Sequence, residues 1–260
     1  MKQSESNDNI EKVIDLTDRF ESEEIQYVVL TNNQNLSKSS SLSPVEILIA
    51  NDSFAEAIHI AENTLDANYS KSSQIKDRIW AGITQPKELF HHIINPDKFM
   101  SQISYLMYDS HSDLIENKGG PSSIQFDGQK SDKTLVQIHK HIEYKNPFMK
   151  SYQVRTHPDY ESHILETREF DGQMYKANNP SELCHIIARC VFNKQGEFSA
   201  SEMSRCEILS DIILKDDKLK SEFEKLLNYL FWGADTVVYE SVKCGSYRTI
   251  LQDLKSFSDY

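Results

Sequence analysis

The hydrophobic period changes near Thr134, and that change sets the class of fold open to this chain. Upstream, Val45, Leu48, Ile49, Ala55, Ile58, Ala61 and Leu65 recur at helical spacing. Ser43-Pro44 supplies a capping hydroxyl followed by proline at the first helical position. Asn51-Asp52-Ser53 is placed to break this stretch into two helices, and further helices read near 73–83, 86–94 and from Asn95-Pro96 toward Tyr108. Downstream, Val136, Ile138, Ile142 and Tyr144 share one face of an alternating run, while Gln137, His139, His141 and Glu143 share the other. Helices followed by strands predict an α+β fold, with a helical N-terminal half packed on a mostly antiparallel sheet.

The boundaries follow from composition along the chain. Residues 1–43 read as a partly disordered N-terminal region. The first eleven are polar, Ile10, Val13, Ile14 and Leu16 form a short helical stripe, Ile25–Leu30 is a strand, and a Ser/Asn-rich loop follows. Residues 44–115 read as a helical region, and 134–260 as an α+β domain after the polar stretch around Gly119-Gly120-Pro121. Within that domain Tyr152–Arg155 reads as a strand. Asp171-Gly172 marks a hairpin turn between His163–Phe170 and Gln173–Tyr175. Leu183–Phe192 reads as a buried strand, turned back by Asn193-Lys194-Gln195-Gly196. Glu197–Ile208 stays open: Ser199-x-x-Glu202 is either a helix capping box or part of a strand. A helix capped by Asp217 and stopped by Gly233, a strand Thr236–Val242 and a last helix capped by Ser246 complete the pattern.

Charge and cysteine usage narrow the function. A formal charge of −12 disfavours non-specific nucleic-acid binding and docking on anionic lipid. No apolar run approaches the length of a membrane span, and Met1–Glu5 carries no apolar leader. Cys184, Cys190, Cys206 and Cys244 form no CxxC pair, so reduced thiols in a cytoplasm are expected rather than zinc or a disulfide scaffold. No glycine-rich phosphate loop occurs.

His139-x-His141-x-Glu143 puts potential metal ligands on one strand face, with His157 and His163 near in sequence. A solvated polar face accounts for them as well, and no metal site is expected. A metal-dependent enzyme built on His139 and His141 remains an alternative. His157-Pro158-Asp159 matches the tripeptide of J-domains but follows strand-like residues instead of a basic helix.

One stretch points to a chemistry. Glu202-Met203-Ser204-Arg205-Cys206-Glu207-Ile208 resembles the strand motif of acyl-homoserine-lactone synthases, which share an acetyltransferase-like architecture. The helix 221–232, the strand-like run 236–241 and Arg248-Thr249-Ile250-Leu251 follow in that family's order. Upstream, Glu169-Phe170-Asp171 resembles its acidic cluster, Cys184–Arg189 its arginine-bearing apolar strand, and Arg155 its early arginine. The likeness covers roughly 150–254. It departs from the family in the short spacing from Arg189 to Glu202, a missing early tryptophan and the long N-terminal half, which only the divergent marine type with an extended N-terminal region would accommodate.

The resemblance implies an acyltransferase with an αβα C-terminal unit. It would join S-adenosylmethionine, as a substrate, to an acyl group from acyl carrier protein or acyl-coenzyme A, with no further cofactor. Glu202 would act as base and Arg205 would orient it. Arg155, Glu169, Asp171, Arg189 and Ser204 would bind substrates. Two competing functions stand beside it: a non-catalytic interaction protein or secreted bacterial effector, and the metal-dependent enzyme.

Overall fold

The computed structural model describes residues 2–31, 44–65, 122–127, 134–145, 153–231 and 233–258. Among them are eight α-helices and a six-stranded mixed sheet. The chain divides into two compact units. The helices expected at 73–83, 86–94 and 95–108, the loop 32–43 and most of the polar stretch 111–133 lie outside the described residues.

The first unit holds helix α1 (Lys2–Ser22), helix α2 (Phe54–Leu65), strand β3 (Ser123–Asp127) and strand β4 (Thr134–His139). The polar start expected to fray is continuous with α1, which buries Val13, Leu16 and Phe20. The helix α2 buries Phe54, Ala57, Ile58, Ala61 and Leu65, one stripe at helical spacing. Strands β3 and β4 pair antiparallel, with Ile124 opposite Ile138 and Phe126 opposite Val136, all four buried.

The second unit is built around a helix. Strand β1 (Tyr27–Val29) runs parallel to β8 (Tyr175–Lys176), which pairs antiparallel with β7 (Glu169–Phe170). Strand β2 (Val45–Ile49) lies on the other side of β1, and the Leu30 amide donates to the Glu46 carbonyl at 2.9 Å. Strands β5 (Glu143–Lys145) and β6 (Gln153–Arg155) form a separate antiparallel hairpin. Helix α3 (Pro158–Glu166) follows, then α4 (Asn179–Ala188), α5 (Ala200–Ile213), α6 (Asp217–Phe231), α7 (Asp235–Lys243) and α8 (Ile250–Ser258). Helix α4 is buried from Pro180 to Ala188 and packs against α5 and α6. Full burial stabilises by about 1.5–3 kcal/mol for each of Leu183, Ile186 and Ile187.

Several expectations are corrected here. Val45–Ile49 is a strand, not the first turn of a helix, and the helix begins only after Asn51–Ser53. All five strand residues are buried, so no alternation shows in the sequence. His163–Glu166, Leu183–Ala188 and Thr236–Val242 are helical, not strands. A short apolar run fits a buried helix as well as a buried strand, and tertiary packing decides. The sheet is mixed and does not begin at residue 134 as expected. Its described strands include 27–29 and 45–49, one pairing is parallel, and residues 217–258 contain successive helices. The Asp171-Gly172 hairpin and the Gly233 helix stop stand as expected, both glycines at positive φ (98° and 78°). No helix among the described residues is long and apolar enough to cross a membrane.

Candidate functional site

Glu202 is positioned by its own helix. Ser199 caps α5, and the reciprocal bond from the Ser199 amide to Glu202 completes a capping box. The helical alternative for Glu197–Ile208 is the one realised. Glu202 Oε2 accepts from the Ser199 amide at 3.0 Å and the Ser199 hydroxyl at 2.8 Å. Its Oε1 accepts from Arg189 Nη2 at 2.9 Å and Lys194 Nζ at 2.6 Å. Burial pushes this carboxyl up, but Lys194, Ser199 and Arg189 outweigh it and hold it down at about 2.

Arg189 carries the network inward. It opens a π-helical turn, Arg189–Asn193, closed by the Lys194 amide donating to the Arg189 carbonyl at 3.2 Å. Its Nη1 donates to Glu46 Oε1 at 2.8 Å. Glu46 Oε2 lies 2.8 Å from His185 Nε2, and His185 Nδ1 lies 2.8 Å from the Tyr144 hydroxyl. Burial, then Glu46, pushes the Tyr144 phenol up, so the phenol keeps its proton and donates to Nδ1. His185 then donates from Nε2 to Glu46, the tautomer its partners require. Tyr144 is 5% exposed, His185 2% and Glu46 8%, whereas Lys194 and Ser199, at the Glu202 end of this line of polar groups, are exposed. It braces β2, β5, α4 and α5 together. Burial lowers the Arg189 guanidinium, but Glu46 and Glu202 outweigh it and hold the charge.

The other sequence-predicted residues fall into separate clusters. Arg205 forms a two-pronged pair with Glu182 of α4, at 2.9 and 2.6 Å. Ser204 is exposed on α5. Arg155 donates to Glu161 at 3.0 Å. Glu161 also accepts from the Ile142 amide at 2.8 Å and the Thr156 hydroxyl at 3.2 Å, and meets His141 Nδ1 at 3.2 Å. Burial pushes Glu161 up, and the bonds from His141 and Arg155 outweigh it and leave it below its ordinary value. Asp171 accepts from the Gln173 and Met174 amides at 3.0 and 3.1 Å and pairs with Lys176, closing the hairpin. Glu169 is exposed on β7, in register with Lys176. Thus Glu202 and Arg189 share one cluster, while Arg205, Arg155 and Asp171 each sit in another.

His139 is buried at the end of β4, and His141 is committed to Glu161. His157 caps α3 through Nδ1 and stacks on Tyr229. Among the described residues no group of three His, Cys, Asp or Glu side chains could hold a metal ion.

Sequence reasoning missed Tyr144, Glu46, His185, Glu182 and Glu161 as partners. The signal was available: a lone Glu46 in Val45–Ile49 and a lone His185 in Leu183–Ile187 are polar groups inside apolar runs, and each needs a buried partner. No protein-family model matches the chain, no curated protein matches its sequence, and no solved structure matches its fold.

Proposed function

We propose that this chain is a non-catalytic interaction protein whose second unit is an internally braced helical scaffold. One observation carries this: Glu202, the residue best placed by sequence to act as a base, has both oxygens filled by four donors and is held at about 2. A carboxylate so held has little affinity for the proton a general base must accept near neutral pH. The competing proposal is an acyl-homoserine-lactone synthase acting on S-adenosylmethionine and an acyl thioester. It asks for a strand at Glu202–Ile208, whose splayed amides would bind the thioester oxygen, and for Arg205 beside Glu202. That segment is helical, and Arg205 is engaged by Glu182.

Two experiments separate these proposals. Purified chain supplied with S-adenosylmethionine and acyl thioesters of several lengths is expected to give no lactone by mass spectrometry. Lactone formed by the wild type and abolished in Glu202→Gln would overturn the interaction reading. Affinity capture, followed by reconstitution from two purified chains, is expected to yield a stoichiometric complex. Absence of any complex that survives reconstitution would count equally against it.

A further inference from the structure

Among the described residues β7 is the outermost strand of its sheet, and both of its residues are exposed. Phe170, 52% exposed, is the most exposed large hydrophobic side chain among them. A sheet edge offers backbone donors and acceptors to any extended segment that can pair with it. The pairing on the inner side of β7 fixes which groups these are. The Asp171 amide donates to the Met174 carbonyl at 3.2 Å, so Asp171 and Met174 form a hydrogen-bonded pair. The neighbouring pair, Phe170 with Tyr175, is then a non-hydrogen-bonded one. In keeping with this, the Tyr175 amide donates to the Tyr27 hydroxyl at 3.2 Å. The Phe170 amide and carbonyl therefore turn away from β8 and face the open edge.

Side chains alternate between the two faces of a strand. On one face Phe170 begins an aromatic row. Its ring centroid lies 5.2 Å from that of Tyr175 on β8, and Tyr175 lies 5.9 Å from Tyr27 on β1, edge to face. Arg168 covers Tyr175, its guanidinium carbon 4.7 Å from the ring centroid. The row runs inward across three strands, and its outer end is the exposed one. On the other face Glu169 and Asp171 are both exposed, and Lys176, one strand further in, pairs with Asp171. The outer strand of that face therefore carries two carboxylates. They decide the occupant. A second copy pairing antiparallel through its own β7 would set carboxylate opposite carboxylate in every register that joins the outward-facing groups, and like charges directly opposite destabilise a strand pair. A segment with lysine or arginine at alternate positions meets those carboxylates instead, and its intervening apolar side chain extends the aromatic row past Phe170.

We infer that β7 is a docking edge for an extended, basic segment of another protein. The segment adds to the sheet as one more strand, sets an apolar residue beside Phe170 and places lysine or arginine opposite Glu169 and Asp171. Main-chain hydrogen bonds to Phe170 supply affinity, and the alternating side chains supply specificity. This inference rests on the interaction-protein reading and names the place and the chemistry of the partner.

Fluorescence anisotropy with the full chain tests it, using a labelled synthetic peptide of alternating lysine and valine and a second of alternating glutamate and valine. Wild type is expected to bind the lysine peptide at least about tenfold more tightly than the glutamate peptide. Phe170→Pro removes the outward-facing amide and the ring while sparing the bonds to β8, and it should weaken lysine-peptide binding roughly tenfold. Ile208→Ser on α5 should leave binding unchanged. Should Phe170→Pro not fold, Glu169→Lys, an exposed substitution, is expected to shift preference toward the glutamate peptide. Absence of lysine-peptide binding by wild type, or binding unaltered by both β7 substitutions, would overturn the docking edge. The reconstituted partner complex judges the two ideas separately: a complex that forms undiminished with Phe170→Ser would keep the interaction reading and overturn the edge.

Discussion

Glu202 and Glu222 sit on successive helices of one unit, and different sets of partners hold them. Glu202 divides four donors between two oxygens, and two of those donors are permanent or nearly permanent cations. Among the described residues Glu222 takes its two side-chain partners, His163 and Asn178, on a single oxygen. The first arrangement fixes a helix start whatever the pH of a cell. The second joins α3, the start of α4 and α6 through one oxygen. The contrast teaches that burial alone does not decide how a carboxylate is held; the number and kind of its partners do.

The largest expected effect comes from removing the cation shared by two carboxylates. Arg189→Met takes from Glu46 and Glu202 the cation they share, and stability is expected to fall by about 3–5 kcal/mol, read as the urea midpoint. A loss under about 1 kcal/mol would show that water or Lys194 compensates, and the persistent side of the comparison would break. Arg205→Ala should cost less, about 2–3 kcal/mol, because Glu182 then keeps its charge in a nearly closed site. Arg205→Lys should recover only part of this, since the two-pronged bond is lost.

Acid titration sharpens the comparison at a smaller scale. The folded-state value of Glu202 is depressed from 4.5 to about 2, so its contribution is fully present above 4.5 and is lost as pH falls toward about 2. Circular dichroism between pH 5 and 2 is expected to show a shallower acid loss in Glu202→Gln than in wild type. Glu161 and Asp171, also held low, keep part of the slope. An unchanged slope would remove Glu202 from the account. The smallest effect is expected at Ile208, 51% exposed on α5, where Ile208→Ser should change stability by no more than about 0.5 kcal/mol.

Much of the local punctuation was legible in the sequence. Ser199-x-x-Glu202, Asp171-Gly172 and Gly233 are short-range signals, because a cap or a positive φ is decided within a few residues. The alternation from Val136 to Tyr144 was legible too, although the run is broken at Lys140–Ile142 into two strands of different hairpins. What could not be read was the state of fully buried runs. Val45–Ile49 and Leu183–Ala188 are apolar, or shielded, on every side, so neither shows a period. One became a strand and the other a helix. The polar network was hidden for a related reason: Glu46 and His185 are 139 positions apart, and sequence spacing carries no trace of their contact.

The π-helical turn at Arg189–Asn193 bears on how this chain can vary in length. Such a turn holds one residue more than an α-turn would, and here its two ends are committed separately. Arg189 grips Glu46 and Glu202, while the Asn193 side-chain oxygen receives the Lys145 amide at 2.7 Å. Deleting one residue between them would close the wide turn to ordinary helix geometry, and the two ends would no longer keep both sets of partners. Most helices resist a single-residue insertion; this stretch resists the opposite change. Among variants of this chain, substitutions at Val191 or Phe192 should therefore be tolerated far more readily than a one-residue gap.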